Sequence, residues 1–253
     1  MVAKAIAIVS LIALTPGRTQ GQSLPTFEVA SVRMNRTVGG RSSAEITPGN
    51  DRFAATNTSL GQLILIAYGV TPHQLGPLDR FIYEKYDIQA KAARGVGRKE
   101  MLLMLQALLA DRFKLSIRRE MRDLPAYALT VDKRGPTLRL SKEQHPWSLS
   151  RVRGNEQKSG RMIFENESMP DLAFALSTLV VVGRVVVDET GLTGNYDFEL
   201  TFAPPDTFAD AAANQGAPSI FTAVREQLGL RLEVRRAPIE FLVIEHVERP
   251  SEN

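Results

Sequence analysis

Three carboxylates crowd one short stretch of this sequence. Asp188, Glu189 and Asp197 flank the run Thr190-Gly191-Leu192-Thr193-Gly194, with Tyr196 beside the last of them. Carboxylates brought together by a fold can divide into acid and base, or hold calcium through their oxygens. The hydroxyls nearby add donors, so the candidate binding residues are Asp188, Thr190, Thr193, Tyr196 and Asp197. The same residue types also build turns: Asp accepts from backbone N–H groups just downstream, and Gly adopts positive φ. A Tyr-Asp pair occurs twice, as Tyr86-Asp87 and Tyr196-Asp197. It is either a duplicated chemical pair or one packing position used twice.

Other chemistries find little support. His73, His145 and His246 are far apart, and none falls in a metal-binding spacing such as H-E-x-x-H. There is no cysteine, which excludes disulfides, thiolate nucleophiles and thiolate metal sites. No nucleophile elbow, P-loop or dinucleotide glycine pattern is present. No cofactor and no resident metal are expected.

The elements that would position these residues come in two similar sets. Residues 52–67 align without a gap on 161–176, with Arg52/Arg161, Asn57/Asn166, Ser59/Ser168 and Leu63/Leu172 identical. Chance would give about one match in such a window from ordinary residue usage. Ser59, followed three residues on by Gln62, reads as a helix cap before Leu60, Leu63, Ile64 and Ala67 at helical spacing. Ser168 caps a second such helix carrying Leu172, Leu176 and Leu179. A helix over about 98–111 carries Leu102, Leu105, Leu108 and Leu109, and one begun by Ser219 ends at Gly229.

Phe113, Leu115 and Ile117 alternate with polar residues, as do Leu230, Leu232 and Val234, and each set predicts a strand. Pro125 and Pro238 precede further strands at 126–131 and 239–244, the latter apolar on both faces and expected at a sheet centre. Strands at 185–187 and 196–202 flank the Asp188–Gly194 turn, which predicts a hairpin. The fold class is α+β: two repeated units, each a small mixed β-sheet with two helices packed on it. The predicted organisation is a signal peptide over 1–21, a first unit over 24–140, a linker over 141–160 and a second unit over 161–249.

Lys4, the apolar run Ala5–Leu14 and the break at Pro16-Gly17 have the order of a secretory signal. That run is too short to cross a bilayer, so no membrane span is expected after cleavage. Removing residues 1–21 takes Lys4 and Arg18 with it, so 31 basic residues become 29 against 28 acidic. So balanced a chain, with only short basic runs, does not predict a nucleic-acid partner. The expected location is periplasmic or secreted.

Phe27–Arg33 (FEVASVR), Tyr86–Ala92 (YDIQAKA), Leu108–Glu120 (LLADRFKLSIRRE), Val186–Leu200 (VVDETGLTGNYDFEL) and Glu226–Glu233 (EQLGLRLE) together resemble a large uncharacterised family of exported soil-bacterial proteins. The resemblance covers nearly all of 24–249 and implies no established activity. Some relatives join this region to membrane-embedded metallopeptidase domains, which implies a sensory or regulatory role. Ser168–Leu179, Val185–Leu200 and Ser219–Val234 are also similar in pattern to the short N-terminal domain of secretins and TonB-dependent receptors. That similarity implies a module binding partner proteins in the periplasm. The expected function is therefore a binding or interaction module of the cell envelope, its partner an envelope protein, a peptide or a small molecule. The alternatives are an exported hydrolase using Asp188 and Asp197, or a sensory domain linked to a membrane metallopeptidase receptor.

Overall fold

The computed structural model describes residues 24–37, 39–40, 42–46, 51–76, 80–142, 160–179, 181–203 and 216–250. The signal-like segment 1–21, most of the 141–160 linker and most of the Pro204–Pro218 stretch lie outside them, as does His145. Among the described residues are ten strands and four α-helices, an α+β architecture.

Strands β1 (Val29–Asn35), β2 (Ser43–Ile46), β3 (Arg52–Ser59) and β4 (Lys85–Lys91) form an antiparallel sheet in the order β1-β4-β3-β2. β2 falls where no strand is expected from the sequence. Helices α1 (Leu60–Tyr68) and α2 (Arg98–Arg112) pack on this sheet. α1 starts where the cap residues require: Ser59 Oγ accepts from Gln62 N at 3.2 Å, and Gln62 Oε1 accepts from Ser59 N at 3.2 Å. It stops at Gly69 in the left-handed region. Its buried residues are the expected Leu60, Leu63, Ile64 and Ala67. On α2 the apolar stripe is wider than the leucines alone suggest. Met101 and Met104 are buried with Leu105, Leu108 and Leu109, whereas Leu102 is only half-buried.

Strands β5 (Ser116–Val131) and β10 (Leu230–His246) form one antiparallel ribbon, from Ile244↔Ile117 to Leu230↔Val131. Each merges two strands that the sequence reads as separate on either side of a proline. Pro125 and Pro238 are tolerated because each strand has an open side there: β5 gains its second neighbour only from Ala126, and β10 lies at the sheet edge. An N–H directed to an open side forms no ladder bond, so its loss costs little. The 239–244 segment is thus not central. It is apolar on both faces because Leu242 is buried and Ile244 packs against the first core, while Ile239 joins a small cluster with Ala126, Ala237 and Val185.

The remaining strands are β6 (Arg139–Leu140), β7 (Arg161–Ser168), β8 (Val185–Asp188) and β9 (Asn195–Thr201). β8 runs parallel to β5, whereas β9 lies between β6 and β7 in a separate three-stranded sheet. The hairpin expected between β8 and β9 is therefore not formed. Helices α3 (Met169–Thr178) and α4 (Ile220–Leu228) are capped by Ser168 and Ser219, and Gly229 ends α4 with φ 64°. They enclose a second core of Phe164, Met169, Leu172, Leu176, Leu200, Phe202, Val224 and Leu228. The ribbon feeds both cores: Leu129 and Leu230 enter the second, and Ile117 and Ile244 pack against the first.

Candidate functional site

The turn residues hold one another. Asp188 Oδ1 accepts from Thr190 N at 3.0 Å and from Thr190 Oγ1 at 2.8 Å, and Thr190 Oγ1 accepts from Leu192 N at 3.1 Å. This local net steers the chain from β8 into another sheet, which is why no hairpin forms. The Tyr196 hydroxyl donates to the Thr193 carbonyl at 2.9 Å. Asp197 is separate, on β9, where its Oδ1 accepts from Asn166 N at 2.7 Å. Asp188 and Asp197 thus sit in different sheets, the first holding its own turn and the second the backbone of β7.

Asp87 makes the matching contact, accepting from Asn57 N at 2.8 Å and from Asn35 Nδ2 at 2.9 Å. Asn57 and Asn166 are left-handed, with φ 52° and 56°, at register irregularities between Ala55/Thr58 and Phe164/Glu167. Asn tolerates that conformation, and a bulge leaves its N–H out of the ladder. An aspartate one strand away supplies the missing acceptor.

The tyrosines beside these aspartates are packed side chains with hydrogen-bonded tips. Tyr86 meets Phe113 edge to face at 5.0 Å and donates to Glu84 Oε2 at 3.2 Å. Burial, then the neighbouring Glu84 carboxylate, push its hydroxyl pKa up to about 12. Glu84 also receives Arg249 Nε at 3.0 and 2.9 Å, a pairing that fastens the C-terminal segment to the first core. Those hydrogen bonds hold Glu84 below the usual carboxylate range, against the opposing effect of partial burial. A depressed folded pKa means stability present above the ordinary carboxylate range and lost as pH falls through the folded value. The urea midpoints of the parent and Arg249→Ala are therefore expected to differ at pH 7 and to converge towards pH 3. A gap that stays constant with pH would overturn this.

A hollow of about 610 Å³ opens beside Asp197, on the three-stranded sheet β6-β9-β7. Arg139, Leu140, Ser141 and Lys142 form one wall, and Ile163–Asn166 and Asp197–Glu199 the remainder. Arg139 stands opposite Asp197 in the β6–β9 register. Arg161 pairs with Glu199 through two hydrogen bonds, at 2.6 and 2.8 Å. Of the five residues expected to bind, only Asp197 lines this hollow. Arg139, Lys142, Glu165 and Glu199 are not expected from the sequence, and the alternation of Arg161, Ile163 and Glu165 with Met162 and Phe164 is a signal for Glu165 alone.

A family model for proteins of unknown function, DUF3738, matches residues 61–247. The chain belongs to that family. No curated protein and no solved structure matches it. The hollow and all of β7 lie within the DUF3738 span, whereas β1, β2 and β3 precede it.

The edge of β7 in this DUF3738 chain completes the site. On β9, the Asn195 carbonyl faces β6 and accepts from Ser141 N at 2.9 Å. Further along, Thr201 N and O face the same side and bond the Gln227 side chain at 2.9 and 2.7 Å. Phe198 and Leu200 therefore bond towards β7, through Phe164 and Met162. The N–H and C=O of Ile163 and Glu165 then point away from the sheet. On β3 the corresponding edge is filled by β2, from Ser43↔Thr56 to Ile46↔Phe53. Among the described residues no strand pairs with that side of β7.

Among the described residues no group of three or more His, Asp or Glu could hold a metal ion, and no helix is long and apolar enough to cross a membrane. His246 Nε2 lies 2.7 Å from Glu248 Oε1 on the exposed end of β10.

Proposed function

We propose that the protein is an exported binding module of the cell envelope that takes an extended segment of a partner protein or peptide onto the edge of β7. The observation that carries this reading is the pair of outward-facing backbone units at Ile163 and Glu165, on an edge whose counterpart on β3 is occupied by β2. Strand addition gains affinity from main-chain hydrogen bonds and selectivity from alternate side chains. Those side chains would lie over the hollow bounded by Arg139, Lys142, Asp197 and Glu199. The similarity of the second half to secretin and TonB-receptor modules, and the signal-like start, support an envelope location.

The chain is further read as a duplication, with units over 24–140 and 161–249. Supporting this are the two left-handed asparagines, each clamped by the aspartate of a Tyr-Asp pair, and the serine caps that follow them. The ends of the ribbon agree: Asp132 N donates to the Gly229 carbonyl at 2.9 Å, and Glu248 N to the Phe113 carbonyl at 2.7 Å. In the same manner Glu189 N bonds Leu129 O at 2.9 Å, and Gly76 N bonds Leu242 O at 2.9 Å.

A proline at Ile163 removes one outward N–H and leaves the β7–β9 ladder intact, so Ile163→Pro tests the reading directly. Binding of extended peptides, measured by fluorescence polarisation, is expected to fall at least about tenfold, with the melting temperature little changed. Peptide binding that survives the substitution would place the contact elsewhere.

A further inference from the structure

We propose that two copies of this chain join edge to edge through β10, antiparallel about a twofold axis at Val234. This surface belongs to a different sheet from β7, and the proposal stands independently of the edge reading above.

The outer edge of β10 is covered at one end and open at the other. The carbonyls of Leu242 and Glu240 point away from β5, accepting from Gly76 N at 2.9 Å and from Gln74 Nε2 at 3.1 Å. Alternation along the strand turns the N–H and C=O of Leu232, Val234 and Arg236 to the same side. Pro238, also in that series, has no N–H to offer. On β5 the outer side of this half of the ribbon is taken by β8, from Ala126↔Val185 to Leu129↔Asp188. Among the described residues no backbone group pairs with Leu232, Val234 or Arg236 on their open side.

The open stretch is also apolar on one face. Val234 is 71% exposed and stands opposite Tyr127, whose ring meets that of Phe221 edge to face at 5.3 Å. Phe221 is itself exposed, and Leu232 is half-buried. Free backbone groups beside exposed apolar side chains form a template for a further strand. The other open stretch of the ribbon, on β5, differs in character. There Met121 is set among Arg118, Arg119, Glu120 and Asp123, all of them ion-paired. Charges of that kind blunt an edge against pairing.

The order of residues in the open stretch selects a second copy as its occupant. Paired antiparallel with itself about Val234, the stretch sets Val234 against Val234, Leu232 against Arg236 and Glu233 against Arg235. The outward backbone units then exchange six hydrogen bonds. The Glu233–Arg235 opposition occurs twice, once on each side of the axis. Moving the axis by one residue sets Glu233 against Glu233, or Arg235 against Arg235, and like charges directly opposite are destabilising. Within one chain Glu233 pairs with Arg231 and Arg235 with Glu189. Those exposed pairs are worth little alone, and the contacts across the axis extend them into a row of alternating charge. A twofold contact is isologous, so assembly closes at two copies.

Sedimentation equilibrium of the full chain is expected to show a concentration-dependent mass that rises to that of two copies. Val234→Lys sets two ammonium groups against each other at the axis and should weaken association at least about tenfold. Glu233→Arg should weaken it severalfold, and its combination with Arg235→Glu, which reverses both charges, should restore it to within about twofold of the parent. Should Val234→Lys fail to fold by circular dichroism, the charge reversal carries the test. A chain that stays monomeric, a dimer indifferent to Val234→Lys, or a double variant no better than Glu233→Arg alone would overturn the proposal. Masses that climb past two copies would also overturn it, because β10 would then be meeting a different edge. A dimer lost in Ile163→Pro but kept in Val234→Lys would move the contact to β7. Association kept in Ile163→Pro and lost in Val234→Lys supports the proposal whatever becomes of peptide binding.

Discussion

Gly229→Ala is expected to cost about 3–5 kcal/mol and to lower the melting temperature by about 10 °C. Two effects combine there. Gly229 has φ 64°, where an alanine is strained by about 1 kcal/mol. Its Cβ would also fall 2.1 Å from the Gly135 carbonyl oxygen and 3.0 Å from Pro136 Cα and Thr137 N. All three are backbone atoms of the turn after β5, so no side chain can swing aside. Moving the turn would break Asp132 N to Gly229 O and Thr137 N to Leu228 O, both 2.9 Å. Gly69 supplies the control: it has φ 62° at the end of α1, and nothing lies within 4 Å of a Cβ there. Gly69→Ala should cost about 1 kcal/mol. Equal losses at the two glycines, measured by chemical denaturation, would show that the close approach of the turn is wrong.

Removing the Asp87 carboxylate is expected to be the next most damaging change. Asp87→Ala strips the acceptor from Asn57 N, whose residue is only 3% exposed, and from Asn35 Nδ2. A buried donor left without its acceptor costs about 1–3 kcal/mol, and the second bond carries the loss to the upper part of that range. Asp197→Ala removes the matching acceptor from Asn166 N, but Asn166 is half-buried and water can replace it. About 1–2 kcal/mol is expected there. The conservative Asp→Asn changes keep an acceptor oxygen and should cost less than about 1 kcal/mol at either site. If Asp197→Ala left stability untouched but abolished peptide binding, Asp197 would contact the ligand and would not merely hold the bulge.

These contrasts separate what could be read along the chain from what could not. Helix starts were legible because a cap is local: Ser59 and Gln62 are three residues apart and satisfy each other. The recurrence of Asn57 and Asn166 was visible too, but its reason was not. The aspartates that hold them come from strands 30 and 31 residues further on. Pro125 and Pro238 misled because a proline interrupts a strand only where its N–H would have bonded, and that depends on neighbours supplied by the fold. The Asp188–Gly194 turn had the residues of a hairpin, yet Asp188 and Thr190 close a net that sends β8 and β9 to different sheets. The edge of β7 was invisible for the same cause. Its local alternation shows a strand, but which side lacks a neighbour is set by pairings far away in the sequence.

The ribbon of β5 and β10 also dictates an order of events. Ile244 and Val247 pack against the core begun by Phe53 and Leu60. That first core therefore stays unsealed until β10 has been made, and closing it spans a long loop. Once β10 arrives, both cores gain it together.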